Sequence, residues 1–100
     1  MITNSSVGTS YSAVFTASTD VATTVIYFCN TSGSSVSLDI CLVPSGGTAG
    51  TSNQIVKSYT VAAGNTYIMD AEKILLQTGD TIQAQGNATG ITATVISTEI

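Results

Sequence analysis

Histidine, arginine and tryptophan are absent from this chain of 100 residues, and charge is scarce: Lys57 and Lys73 are the only cations, beside six carboxylates. Two cations cannot neutralise a useful number of phosphates, which excludes a nucleic-acid binder, and they give no basic surface for an anionic membrane. Without histidine there is no imidazole for acid–base chemistry near neutral pH, and none of the 13 serines has a histidine to activate it. The expectation is a protein that is not an enzyme, with no catalytic residue and no cofactor. The two cysteines, Cys29 and Cys41, have no second pair with which to complete a zinc site. No apolar run approaches the roughly 18 residues of a membrane span. The start, Met1-Ile2-Thr3-Asn4-Ser5-Ser6, lacks the basic and apolar regions of a signal peptide, so synthesis in a cytoplasm is expected.

What is present is apolar and hydroxyl-rich. Hydrophobic residues make up 43%, serine and threonine together number 30, and the net charge is −4. Disordered chains combine low hydrophobicity with high net charge, so this one folds. A length of 100 residues suits one domain, residues 1–100. Valine, isoleucine and threonine fill 36 positions and no helical apolar stripe interrupts them, which gives an all-β reading.

Strands are expected at 11–16, 21–30, 36–43, 54–61, 66–70, 74–76, 81–85 and 91–100, with a helical turn at Ala71-Glu72-Lys73 and Met1–Gly8 left as a docking arm. In the second strand, Val25-Ile26-Tyr27-Phe28-Cys29 is apolar on both alternating faces, which calls for cover on both sides. Val36, Leu38, Ile40 and Leu42 alternate with Ser37, Asp39 and Cys41, and Pro44 ends that strand. The turn formers Asn30 to Ser35 predict a hairpin between these two strands. Pro44 to Asn53, with three glycines and no charge, reads as the longest surface loop. Gln77-Thr78-Gly79-Asp80 reads as a tight turn with Gly79 at positive φ. Turn signals about every ten residues indicate a single small antiparallel β-sandwich, jelly-roll-like, of seven or eight strands.

A hairpin at Ser32-Gly33 sets Cys29 opposite Val36 and leaves Cys41 roughly 16 Å along the strand at about 3.3 Å per residue. A disulfide tolerates only about 4.4–6.8 Å between Cα atoms, so free thiols are expected. Asn4, Asn30 and Asn87 stand in Asn-x-Ser/Thr sequons, which so many hydroxyl residues create by chance. Asp70, Glu72 and Asp80 have no calcium-loop spacing, so no metal site is expected. Gly46-Gly47-Thr48-Ala49-Gly50 lacks the ending of a phosphate-binding loop.

The low charge carries the most weight. A chain with eight charged residues must present serine, threonine, asparagine and glutamine to solvent, and such surfaces pack against copies of themselves at small desolvation cost. An obligate homo-oligomer follows, most simply a trimer or a larger symmetric ring.

The segments Cys29-Asn30-Thr31-Ser32, Leu42 to Asn53 (LVPSGGTAGTSN), Val61 to Thr66 (VAAGNT) and Leu76 to Ala84 (LQTGDTIQA) resemble the small β-sandwich structural proteins of tailed bacteriophages. The resemblance covers about residues 21 to 100 and implies a virion structural role without catalytic residues. It implies a capsid decoration or cement protein, made in the host bacterial cytoplasm and held in the virion by copies of itself and by the major capsid protein or another virion protein. A tail, baseplate or fibre accessory protein is the alternative within the same resemblance. A carbohydrate-binding sandwich using Tyr11, Tyr59 and Tyr67 is the alternative outside it. The residues expected at interfaces are Met1, Ile2, Tyr27, Pro44, Gly46, Gly47 and Asn53.

Overall fold

β-Branched residues at alternate positions favour extended chain with one face buried, and the burial of the long strands follows that period. In the computed structural model, which describes residues 1–70 and 74–100, nine strands form two antiparallel sheets. They are β1 (Ile2–Val7), β2 (Ser12–Thr16), β3 (Val21–Asn30), β4 (Val36–Val43), β5 (Gln54–Val61), β6 (Thr66–Met69), β7 (Ile74–Leu76), β8 (Thr81–Gly86) and β9 (Ile91–Glu99).

Sheet A has the order β1-β9-β3-β6, with β7 also paired to β3, and sheet B has the order β2-β8-β4-β5. Along β3, Ile26 to Cys29 pair with β6 and Val21 to Thr23 pair with β7, so β6 and β7 share one edge position. Eight positions in this interleaved order are those of a jelly roll, with β6 and β7 filling one of them, and the ninth strand, beyond the seven or eight expected, is β1. The expected helical turn at 71–73 lies outside the described residues.

The core lies between the sheets. Ile26 and Phe28 from β3, Val36, Leu38 and Ile40 from β4, Ile82 from β8 and Ile91 and Val95 from β9 are all buried in it. Each such side chain contributes about 1.5–3 kcal/mol by leaving water. Leu42 packs against this cluster from its margin, while Cys41 and Val43 are buried outside it, on the far side of sheet B.

Two expectations are corrected. The connection after Asn30 is not a hairpin: β3 pairs with β9, β6 and β7, whereas β4 pairs with β5 and β8, so the chain crosses from one sheet to the other. Its turn chemistry reverses the chain without fixing the sheet it returns to. The thiols are free as expected, but the reason is that they stand in different sheets. Met1–Gly8, expected as an arm, is instead edge strand β1 and its ends, in register with β9 from Ile2↔Ile96 to Val7↔Ile91. Ser5 Oγ donates to Val14 O at 3.1 Å and ties β1 to β2 across the sandwich.

Candidate functional site

The outer face of sheet A is built by strand parity. With Ile26 and Phe28 committed to the core, Val25, Tyr27 and Cys29 must point away from it. Register then sets their neighbours: Ile2, Ile96 and Val25 form one row, Asn4, Thr94, Tyr27 and Ile68 the next, and Ser6, Thr92, Cys29 and Thr66 a third. A bulge at Thr24 keeps Ala22 on the same face, beside Thr98 and Leu75.

Ile2, Ile68 and Leu75 are 68%, 47% and 69% exposed, and Tyr27 is 36% exposed. Among the described residues no charged side chain belongs to these rows: Asp20, Asp39, Lys57 and Asp80 lie in sheet B or its turns, Asp70 follows β6, and Glu99 closes β9. Apolar and hydroxyl side chains therefore form one neutral surface across four strands. Among the described residues, nothing supplies the second cover expected for the strand around Tyr27.

The other expected interface residues lie on the opposite side of the sandwich. Pro44, Gly46, Gly47 and Asn53 belong to the loop that folds over the outer face of sheet B, where the Cys41 thiol donates to Gly50 O at 3.5 Å. This loop is held by its own groups. Asn53 Oδ1 accepts from Gly50 N–H at 3.0 Å, its Nδ2 donates to Thr48 O at 3.0 Å, and its carbonyl accepts from Leu42 N–H at 3.0 Å. Gly47 N–H donates to Pro44 O at 2.9 Å, and a Cβ there would stand 3.0 Å from the same oxygen. Of the residues expected at interfaces, the structure thus brings together Ile2 and Tyr27, with Met1 at the end of the same sheet, and separates them from the loop.

Between the sheets, at the β5 and β6 edge, lies a groove of about 320 Å³ lined by Leu42, Ile55, Tyr67, Ile68, Met69, Asp70 and Ile74. Tyr59 packs on Tyr67 with ring centroids 4.3 Å apart, and Tyr67 in turn lies 6.3 Å from Phe28. The groove escaped the sequence reading, although three consecutive large apolar residues, Tyr67-Ile68-Met69, on a short strand signal two apolar faces.

The tyrosines do not form a common platform. Tyr11 accepts a hydrogen bond from Gln54 Nε2 at 2.9 Å on the other side of the molecule, against Cys41. Its phenol is pushed up to about 12, first by burial and then by its hydrogen bond with the Cys41 thiol, with the Gln54 amide opposing. Folding thus favours the protonated phenol. Stability from this group is complete below pH 10, the ordinary tyrosine value, and is lost as pH rises toward about 12. In an absorbance titration of tyrosinate, Tyr11→Phe is expected to remove the latest component and to flatten this alkaline loss.

Two carboxylates are engaged mainly by backbone donors. Asp80 accepts from Ser45 N–H at 2.9 Å and Gln77 N–H at 3.0 Å, and Asp39 accepts from Ser58 N–H at 2.6 Å and Gln85 Nε2 at 3.0 Å. Among the described residues no three metal-ligating side chains cluster; Glu72 lies outside them. Gly79, at φ 92°, makes the turn that presents Asp80, as its sequence position predicts. Of the sequon residues, Asn4 and Asn87 are exposed, but Asn30 is fully buried with both amide hydrogens engaged, which closes it to glycosylation in the folded chain. Comparison with protein-family models, with curated proteins and with solved structures finds no match for this chain.

Proposed function

We propose that the chain is a non-enzymatic structural protein of a tailed-phage virion, a capsid decoration or cement subunit. It acts as a homo-oligomer that lays the outer face of sheet A against the major capsid protein or another virion protein. The observation that carries the reading is the neutral face itself: rows of apolar and hydroxyl side chains across four strands, which no other described residue covers. A charge-depleted, apolar surface is the composition of an interface centre. The resemblance of residues 29–32, 42–53 and 76–84 to phage sandwich proteins supplies the virion. Many weak identical contacts, each made by one copy, hold a shell through avidity.

A sugar-binding reading is less well supported. Among the described residues, the groove beside Tyr59 and Tyr67 offers Asp70 as its one charged side chain and otherwise apolar walls, whereas ligand orientation depends on several placed polar groups.

The test is co-sedimentation of the purified protein with empty capsids of its source, at low salt and again at about 1 M salt, where the Debye length falls to about 3 Å. Retention at both salts is the expected result, because a neutral face draws no affinity from charge. Failure to sediment at either salt overturns the decoration role, and a bound copy number of a few per particle, rather than hundreds, assigns the protein to the tail.

A further inference from the structure

We propose that β1 is the site at which two copies of this chain join, edge to edge, into one continuous sheet. The inference rests on the reading of the chain as a self-associating subunit and adds how copies meet. Its two-fold contact replaces the trimer expected from composition.

The free edge of β1 follows from its register. In an antiparallel pair, residues that exchange hydrogen bonds alternate with residues that do not. Met1 N donates to Ser97 O at 2.7 Å and Ser97 N to Met1 O at 2.9 Å, so Met1, and in phase with it Thr3, Ser5 and Val7, spend their backbone groups on β9. Ile2, Asn4 and Ser6 direct N–H and C=O outward.

Sheets ordinarily protect such edges with charge, proline, bulges or breaks, and the other edges here are protected. β2 has a register shift between Ala13 and Phe15, β5 carries Lys57, two shifts and Ser58 at φ 54°, and the far edge of sheet A is divided between β6 and β7. Among the described edge strands, β1 alone runs six residues with unbroken register and neither charge nor proline.

The three open residues also identify the occupant. They are spaced evenly about Asn4, so a two-fold axis at Asn4 lets Asn4 exchange both bonds with the partner's Asn4, while Ile2 does so with the partner's Ser6 and Ser6 with the partner's Ile2. Every open donor and acceptor is then used. The facing side chains are neutral, so like charges never meet. Asn4 Oδ1 already accepts from Thr94 Oγ1 at 2.9 Å, which holds the amide in place with its Nδ2 hydrogens unspent. Pairing in this register also fuses the neutral outer faces of both copies into one, doubling the surface proposed to lie on the shell.

The test is sedimentation equilibrium with amide hydrogen exchange on the full chain, alongside Asn4→Pro and Asn4→Lys. Asn4→Pro removes an N–H that β9 does not use, and Asn4→Lys sets two ammonium groups face to face at the axis while changing only an exposed position. Wild type is expected at twice the 10.1 kDa chain mass, with the amides of Ile2, Asn4 and Ser6 exchanging at least tenfold more slowly than after dilution to monomer. Both variants are expected as monomers at the same concentration, with the unfolding midpoint of wild type diluted to monomer. A wild type that stays monomeric to millimolar concentration overturns the proposal, as does a dimer that persists in both variants with those three amides unprotected. A dimer that ignores capsids overturns the decoration role and leaves this inference standing; a monomer that coats them does the reverse.

Discussion

Asn30→Asp is expected to lower the unfolding free energy at pH 7 by about 3–5 kcal/mol, a large share of the about 5–15 kcal/mol that holds a domain folded. Asn30 ends β3 where the chain leaves sheet A for sheet B, and it is fully buried. Its Nδ2 donates to Ser34 O at 2.8 Å and Val61 O at 2.9 Å, and its Oδ1 accepts from Ser32 N–H at 3.0 Å and Ser32 Oγ at 2.6 Å. Its own backbone is tied as well, N–H to Asn65 O at 2.9 Å and carbonyl to Gly64 N–H at 3.0 Å. The side chain therefore fastens the crossing loop to the end of β5, and the backbone of the same residue fastens the turn into β6. Aspartate keeps the shape and the accepting side but turns the donating side into an oxygen facing two carbonyls, with a charge that nothing neutralises. A protonated aspartic acid restores one donor, so the folded variant binds a proton more tightly than the unfolded one, and its stability must rise as pH falls. Urea unfolding at pH 7 and pH 5 checks both statements: a midpoint equal to wild type at pH 7, or one that drops on acidification relative to wild type, contradicts the role given to Asn30. Asn30→Ser, which keeps an acceptor without adding charge, is expected to cost less, about 1–3 kcal/mol.

The same residue shows where sequence reading succeeds and where it stops. The cluster Asn30 to Ser35 marks a chain reversal because asparagine, serine and glycine bind their own backbone locally. Whether the returning strand pairs with the one before it is decided by partners far along the chain, here β9 for β3 and β8 for β4. The bounds of β3, β4 and β5 were legible because alternation and β-branching are local properties. β1 was not legible, since Val7 is its only fully buried side chain and Ile2-Thr3-Asn4-Ser5-Ser6 carries no apolar period. The neutral face was half legible. Tyr27 betrays itself by sitting at the wrong parity in an apolar strand, but its neighbours Ile68 and Ile96 are brought there by nonlocal register. The loop 44–53 was legible as a loop, and not as one stapled by Asn53, because Asn53 acts through geometry that glycine and serine content does not encode.

Placing a lysine at Tyr27 or Ile68 is expected to abolish capsid decoration, by at least about 100-fold in affinity, while leaving the fold intact. The two residues are cross-strand neighbours on the outer face of sheet A, Tyr27 on β3 inside the sheet and Ile68 on the edge strand β6, 36% and 47% exposed in the single chain. A charge on an exposed strand position costs the isolated subunit little, about 0.5 kcal/mol. Once the face is covered, the same ammonium is stripped of water with no carboxylate within its rows, and an unpaired buried charge costs about 3–5 kcal/mol, or more than two decades in a binding constant at 1.4 kcal/mol per decade. The contrast between folding and binding is what identifies the surface. Tyr27→Phe keeps the ring and is expected to bind as wild type. Thr16→Lys, at an exposed position on edge strand β2 of sheet B, puts the same charge outside that face and is expected to be silent. Thermal unfolding and capsid co-sedimentation measured on all four variants separate the cases. If Tyr27→Lys and Ile68→Lys bind like wild type while Thr16→Lys does not, the contact surface lies on sheet B, where Pro44, Gly46 and Asn53 stand. If all four bind alike, neither broad face touches the shell, and the strand edges are left as the contact.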